Sequence, residues 1–157
     1  MMDQHKKFMR RAIQLSIDNL EKGGGPFGAV IVRDGGIIAE AANSVTIDND
    51  PTCHAEVNAI RQAAKQLSNF DLSGCVIYSS CEPCPMCLGA IYWARLDALY
   101  YANTKADAAA IDFDDEFIYE ELDLDIKDRK LRTNQLLNEE ALGAFEKWKL
   151  SEDKTEY

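Results

Sequence analysis

No apolar run in the 157-residue chain approaches the ~20 residues that a membrane-spanning helix needs, which excludes that class from the sequence alone. The first segment, MMDQHKKFMRRAIQLSIDNLEKG, has basic residues, but charged and polar side chains interrupt its apolar positions, so it lacks a signal-peptide core. Positive charge is also scarce. Seventeen Lys and Arg stand against 27 Asp and Glu, for a formal net charge of −10. Affinity for a polyanion comes from cations that displace its counterions, so nucleic acid is not an expected partner. Cysteine is too unevenly placed for an extracellular disulfide framework: there are five, an odd number, and three fall within seven residues at 81, 84 and 87. In a reducing compartment such a cluster points to metal or catalysis. We therefore expect a cytoplasmic protein with no membrane association.

No linker, repeat or low-complexity tract divides the chain, and its length suits one domain, 1–157. Residues 3–22 place Phe8, Met9, Ala12, Ile13, Ile17 and Leu20 on one face of a helix, with Leu15 off that face. The glycines and proline of KGGGP (22–26) end it. The run GGGPFG (23–28) lacks the Lys-Ser/Thr ending of a phosphate loop and reads better as a cap entering a strand. Residues 27–43 are apolar on both sides of Asp34-Gly35-Gly36, a β-hairpin signal. Helices follow over 54–67 and 85–94, strands over 75–80 and 97–102, and further helical stretches over 105–111 and 138–150, with 114–122 short helix or irregular. Helices alternating with strands after a hairpin predict a three-layer α/β/α domain around a mixed sheet of about five strands.

The chemistry concentrates in two half-motifs. PTCHAE (51–56) supplies His54-x-Glu56, and about 27 residues later PCPMC (83–87) supplies Pro-Cys84-x-x-Cys87. This order is the signature of zinc deaminases. Three protein ligands, His54, Cys84 and Cys87, leave a fourth tetrahedral position open for water, and one imidazole with two thiolates has the softness zinc prefers. Pro85 suits a first helical position, so Cys84 caps the helix and Cys87 lies in its first turn, where free N–H groups favour thiolates. His54 also opens a helix. Its separation from Glu56 is about 200° around the axis, so the two converge only in front of the helix end. Two β-α units of one sheet can aim both helix starts at one zinc. Glu56, beside the metal but not bound to it, is the candidate to move protons.

The bland readings stay open for the parts taken singly: Cys84 and Cys87 as a structural zinc knuckle or a redox pair, with His5 or Cys81 as a fourth ligand. We expect Cys81 to pack at the strand end and Cys53 to pack rather than ligate.

With these motifs, the sequence resembles the cytidine deaminase superfamily, and within it the small bacterial guanine deaminases. The likeness runs over GGPFGAVIV (24–32), NDPTCHAEVNAIR (49–61), SCEPCPMCLGAIYWAR (80–95), FDDEFIYEEL (113–122) and the final EY (156–157). The resemblance implies one Zn2+ per chain and hydrolysis of guanine to xanthine and ammonia in purine catabolism. It further implies base recognition by Asn43, ring packing by Phe27 and Trp93, and a polar contact or proton relay from Asp115. It implies a homodimer in which the C-terminal helix and tail, 138–157, cover the partner's active site in a domain swap, with Tyr157 at the base. Rival expectations are a deaminase of tRNA adenosine or free cytosine, and a non-catalytic zinc-binding protein. The acidic charge opposes the tRNA reading.

Overall fold

The structure is a computed structural model and describes residues 2–157. The chain divides into two compact units, one ending at Asp115 and one running from Glu116 to Tyr157. The first unit holds helix α1 (Met2–Glu21), strands β1 (Gly28–Arg33) and β2 (Gly36–Ala42), a short α2 (Val45–Asp48), and α3 (Ala55–Leu67). It continues with β3 (Cys75–Cys81), α4 (Pro85–Trp93), β4 (Ala98–Asn103) and α5 (Lys105–Ala109). The second unit holds α6 (Glu116–Asp123), a 3-10 turn (Ile126–Asp128) and α7 (Asn138–Leu150).

The sheet is mixed, in the order β2-β1-β3-β4. β1 runs antiparallel to both β2 and β3, while β3 and β4 are parallel with α4 in the crossover between them. Asp34 and Gly35 turn the hairpin with φ of 51° and 76°, the left-handed pair that tight hairpins require. Strand alternation sorts side chains to two layers. Ala29, Ile31 and Ile77 pack with Ala55, Ala59 and Ala63 of α3 and Ile91 of α4. Val30, Val32 and Tyr78 pack with Phe8 and Ala12 of α1.

Two expectations are corrected. The sheet has four strands among the described residues, not about five. The four are the hairpin pair and the strands expected over 75–80 and 97–102; past β4 the Thr104 side chain accepts from the Asp107 N–H while the Asp107 carboxylate accepts from the Thr104 N–H, a capping box that turns the chain into α5. The buried stripe of α1 also differs. It runs Phe8, Ala12, Ser16, Asn19, while Ile17 and Leu20 are more than half exposed and Leu15 packs at the edge of the core. Gly28 presses its backbone against this helix. A Cβ there would stand 2.4 Å from the Ala12 carbonyl oxygen and 2.8 Å from the Ser16 nitrogen. Small residues on the helix and no side chain on the strand permit that approach.

Candidate metal and active site

His54 caps the N-terminus of helix α3 and Cys84 that of helix α4. Both cap residues are extended, with φ, ψ of −70°, 154° and −66°, 168°, and neither side chain caps its own helix. Both side chains are thus free for other work. Pro85 occupies the first turn of α4, and Cys87, one turn in, is fully buried. His54 Nδ1 lies 3.6 Å from Cys84 Sγ and 3.4 Å from Cys87 Sγ. The three ligand atoms fall within 4.8 Å of one another. A tetrahedral zinc with ordinary Zn–N and Zn–S bonds holds its nitrogen and sulfur ligands about 3.6 Å apart, so this donor set fits the ion in both chemistry and spacing.

The spare candidates stand elsewhere. The Cys81 thiol, on the last residue of β3, points to the Thr104 carbonyl at 3.7 Å, and burial pushes it up to about 11. His5 Nδ1 pairs with the Tyr78 hydroxyl at 2.7 Å, and Tyr78 packs with α1 on the opposite layer from α3. Cys53 is buried and accepts from the Arg61 guanidinium at 3.7 Å.

The ligand groups share protons unevenly. The Cys84 thiol is pushed down to about 4, first by the hydrogen bond from Cys87 and then by His54. The Cys87 thiol is raised, first by that same bond, and His54 is raised, first by its bond with Cys84. A helix N-terminus favours thiolate in the same direction as the shift at Cys84.

Glu56 sits in the first turn of α3 and is 5% exposed. Ser79 Oγ donates to its Oε1 at 2.8 Å. Burial drives its carboxyl above the ordinary range, opposed by its own backbone N–H, by Ser79 and by Cys87. A carboxyl so placed holds a proton more readily than a surface one.

The residues assigned to the base scatter more widely. Asn43 is buried at the end of β2, with Oδ1 accepting from the Val45 N–H at 3.2 Å. Phe27 is half-buried and meets Phe113 edge-on at a centroid distance of 5.0 Å. Asp115 is half-buried in the irregular segment before α6. Its carboxyl is raised, first by burial and then by the Cys84 charge. Trp93 is 66% exposed at the last residue of α4, about 13 Å along the helix axis from Cys84. Tyr157 is in the second unit and is largely exposed.

A sequence profile described as the cytidine and deoxycytidylate deaminase zinc-binding region matches residues 2–103. The chain belongs to this deaminase family. It is 52% identical over 154 residues to a guanine deaminase of Bacillus subtilis, covering 98% of this chain and 99% of that one. The X-ray structure of a Bacillus subtilis guanine deaminase superposes with a TM-score of 0.95 over 98% of both chains, at 52% identity. A tRNA-specific adenosine deaminase of Aquifex aeolicus is 40% identical over 95 residues, 60% of this chain and 63% of its own. A guanine deaminase structure from Nitrosomonas europaea matches at 35% identity and a TM-score of 0.66, over 69% of this chain and 63% of that one.

Three polar residues of this deaminase belong to no motif in the sequence: Ser79, Asn19 and Asn58. Ser79 shares the strand face of Ile77, which packs toward α3. Asn19 Nδ2 donates to the Gly25 and Asn43 carbonyls at 2.8 and 2.7 Å. Asn58 Nδ2 reaches Ala42 O, Ser44 Oγ and Cys53 O. In the sequence only their interruption of apolar faces marks them.

Proposed function

We propose that the protein catalyses hydrolytic deamination of guanine: water adds its oxygen at the purine carbon bearing the amino group, and that group leaves as ammonia to give xanthine. His54, Cys84 and Cys87 would hold one Zn2+ per chain. When bound there, zinc acts as a Lewis acid and makes a water nucleophilic at neutral pH. Glu56 does the proton work. It takes a proton from the attacking water and delivers one to the departing amine, and its buried, raised carboxyl suits a group that must hold a proton between the two steps. Ser79 fixes the oxygen that it bonds.

Asn43 offers the base a side-chain amide, Phe27 offers an aromatic face, and Asp115 offers a carboxylate to accept from ring or amino N–H. Trp93 offers a second aromatic face, and in this reading Tyr157 reaches the base of the partner's site in the dimer. The C-terminal helix and tail, 138–157, within the second unit, are the segment we assign to covering a partner's site. Neither α6 nor α7 has a buried residue, and Leu142, Phe145, Trp148 and Leu150 of α7 are all exposed. Exposed large apolar side chains grouped on a mixed-polarity helix suit a surface that another copy covers. We place the enzyme in the cytoplasm, in purine breakdown, where its five free cysteines stay reduced.

The observation that carries the substrate is the reach of the likeness. The match to the Bacillus guanine deaminase spans 98% of this chain, whereas the match to the Aquifex tRNA enzyme spans 60%. The shared part holds the zinc chemistry, and full-length likeness at 52% identity favours the guanine enzyme over the tRNA enzyme. The Glu56→Gln protein is expected to keep stoichiometric zinc and lose guanine turnover. Zinc loss together with activity would make Glu56 a ligand, and retained turnover would remove its proton role.

A further inference from the structure

We propose that Asn19 and Asn58 are positioning residues for base recognition, two amides that clamp the main chain on either side of Asn43 and tie it to the helix start carrying His54. The inference rests on the reading of Asn43 as a base contact.

Asn19 lies on the buried stripe of α1 and is 3% exposed. An amide costs free energy there unless its bonds are made, and an apolar side chain would pack at no such cost. Its Nδ2 uses both hydrogens on main-chain carbonyls, those of Gly25 and Asn43. Gly24 is what lets it reach them: a Cβ at that position would stand 2.2 Å from Asn19 Nδ2. The Asn43 N–H in turn donates to the Phe27 carbonyl at 3.0 Å. Both backbone groups of Asn43 are thereby fixed, and its Oδ1 is engaged by Val45. Among the described residues nothing engages its Nδ2, which is the donor offered to a base.

Asn58 works from the other side. Its Nδ2 stands 3.1 Å from the carbonyl of Ala42, which precedes Asn43, and 3.0 Å from the hydroxyl of Ser44, which follows it. The same nitrogen is 3.3 Å from the Cys53 carbonyl, and the Ser44 N–H donates to that carbonyl at 2.9 Å. Cys53 directly precedes His54 in the chain, and the Asn58 N–H closes the first turn of α3 on the His54 carbonyl at 2.9 Å. One residue thus links the end of β2 to the zinc ligand. The distance between base and metal is set through these amides.

The test is steady-state kinetics with guanine on the zinc-loaded Asn19→Ala, Asn58→Ala and Asn43→Ala proteins and on each of the first two combined with Asn43→Ala. Zinc content and melting temperature are measured alongside. Each clamp variant is expected to raise KM about tenfold, the scale of one lost buried hydrogen bond, with a smaller change in kcat and full zinc. Because the clamp acts through Asn43, the double variants should be no worse than Asn43→Ala alone. Losses that multiply, or an unchanged KM in both single variants, overturn the proposal. An unchanged KM in Asn43→Ala overturns the reading of Asn43 instead. If Asn19→Ala does not fold, Asn58→Ala decides. If neither yields folded, zinc-loaded protein, the amides serve the fold and the proposal falls.

Discussion

A single methyl group at Gly24 should loosen the backbone around Asn43, the side of the site proposed to meet the base. A Cβ there would lie 2.2 Å from Asn19 Nδ2 and 2.5 Å from the Asn43 carbonyl oxygen, well inside contact distance. Two adjustments are open. The Asn19 amide can swing away, which leaves the Gly25 and Asn43 carbonyls without their donor. Alternatively, the loop can shift off Asn43, which strains a packed region. Lost buried hydrogen bonds and forced overpacking each cost about 1–3 kcal/mol, so Gly24→Ala should destabilise by about 2–4 kcal/mol. In a chain of this length that is a fall of roughly 5–15 °C in melting temperature. Gly89 supplies the control. It lies in α4, and a Cβ there meets nothing within 4 Å. Gly89→Ala should be neutral or stabilising by about 0.5–1 kcal/mol, the helix preference of alanine over glycine. Both are read by thermal and urea unfolding at fixed zinc and protein concentration. Gly24→Ala with wild-type stability and wild-type KM would refute the argument that this backbone is held by close approach.

Three further outcomes follow from the same geometry. Ser79→Ala removes the donor to Glu56 Oε1, a bond to a charged group worth about 1.5–3 kcal/mol, so kcat should fall about ten- to hundredfold with zinc retained. That bond also lowers a carboxyl pKa that burial raises, so its loss raises the pKa further and moves the acid limb of the pH–rate profile to higher pH; an unmoved limb contradicts the assignment. Cys81→Ser should keep stoichiometric zinc by metal analysis, because its thiol faces Thr104 and not the ligand group; zinc loss would make it a ligand. Deleting residues 151–157 should lower kcat/KM for guanine while zinc content and melting temperature hold, and unchanged kinetics would reject a role for the tail.

What could be read from the sequence was local. His54, Cys84 and Cys87 declare themselves because each stands at or just inside a helix start, and caps, proline at the first turn and ligand spacing are written in neighbouring residues. The hairpin at Asp34-Gly35 is legible for the same reason. Long-range pairings were not. Apolar spacing predicts an α1 stripe through Ile17 and Leu20, yet the buried face carries Ser16 and Asn19. Helix periodicity identifies a face only if burial follows hydrophobicity, and here the buried face was chosen by hydrogen bonds to the 25–43 region and by the backbone of Gly28. Ser79 and Asn58 are equally silent, since their partners lie 23 and up to 16 residues away in sequence. The helical reading after β4 has a local cause too, because Thr104 and Asp107 form an N-terminal capping signal there.

The central claim is that this zinc site serves a free purine base. Its most direct test is ammonia release by the zinc-loaded enzyme supplied with guanine, and in parallel with adenine, cytosine and tRNA. Turnover of guanine to xanthine in stoichiometric step with ammonia, far above the other three, is the predicted result. No turnover of guanine, or a preference for tRNA, would contradict it.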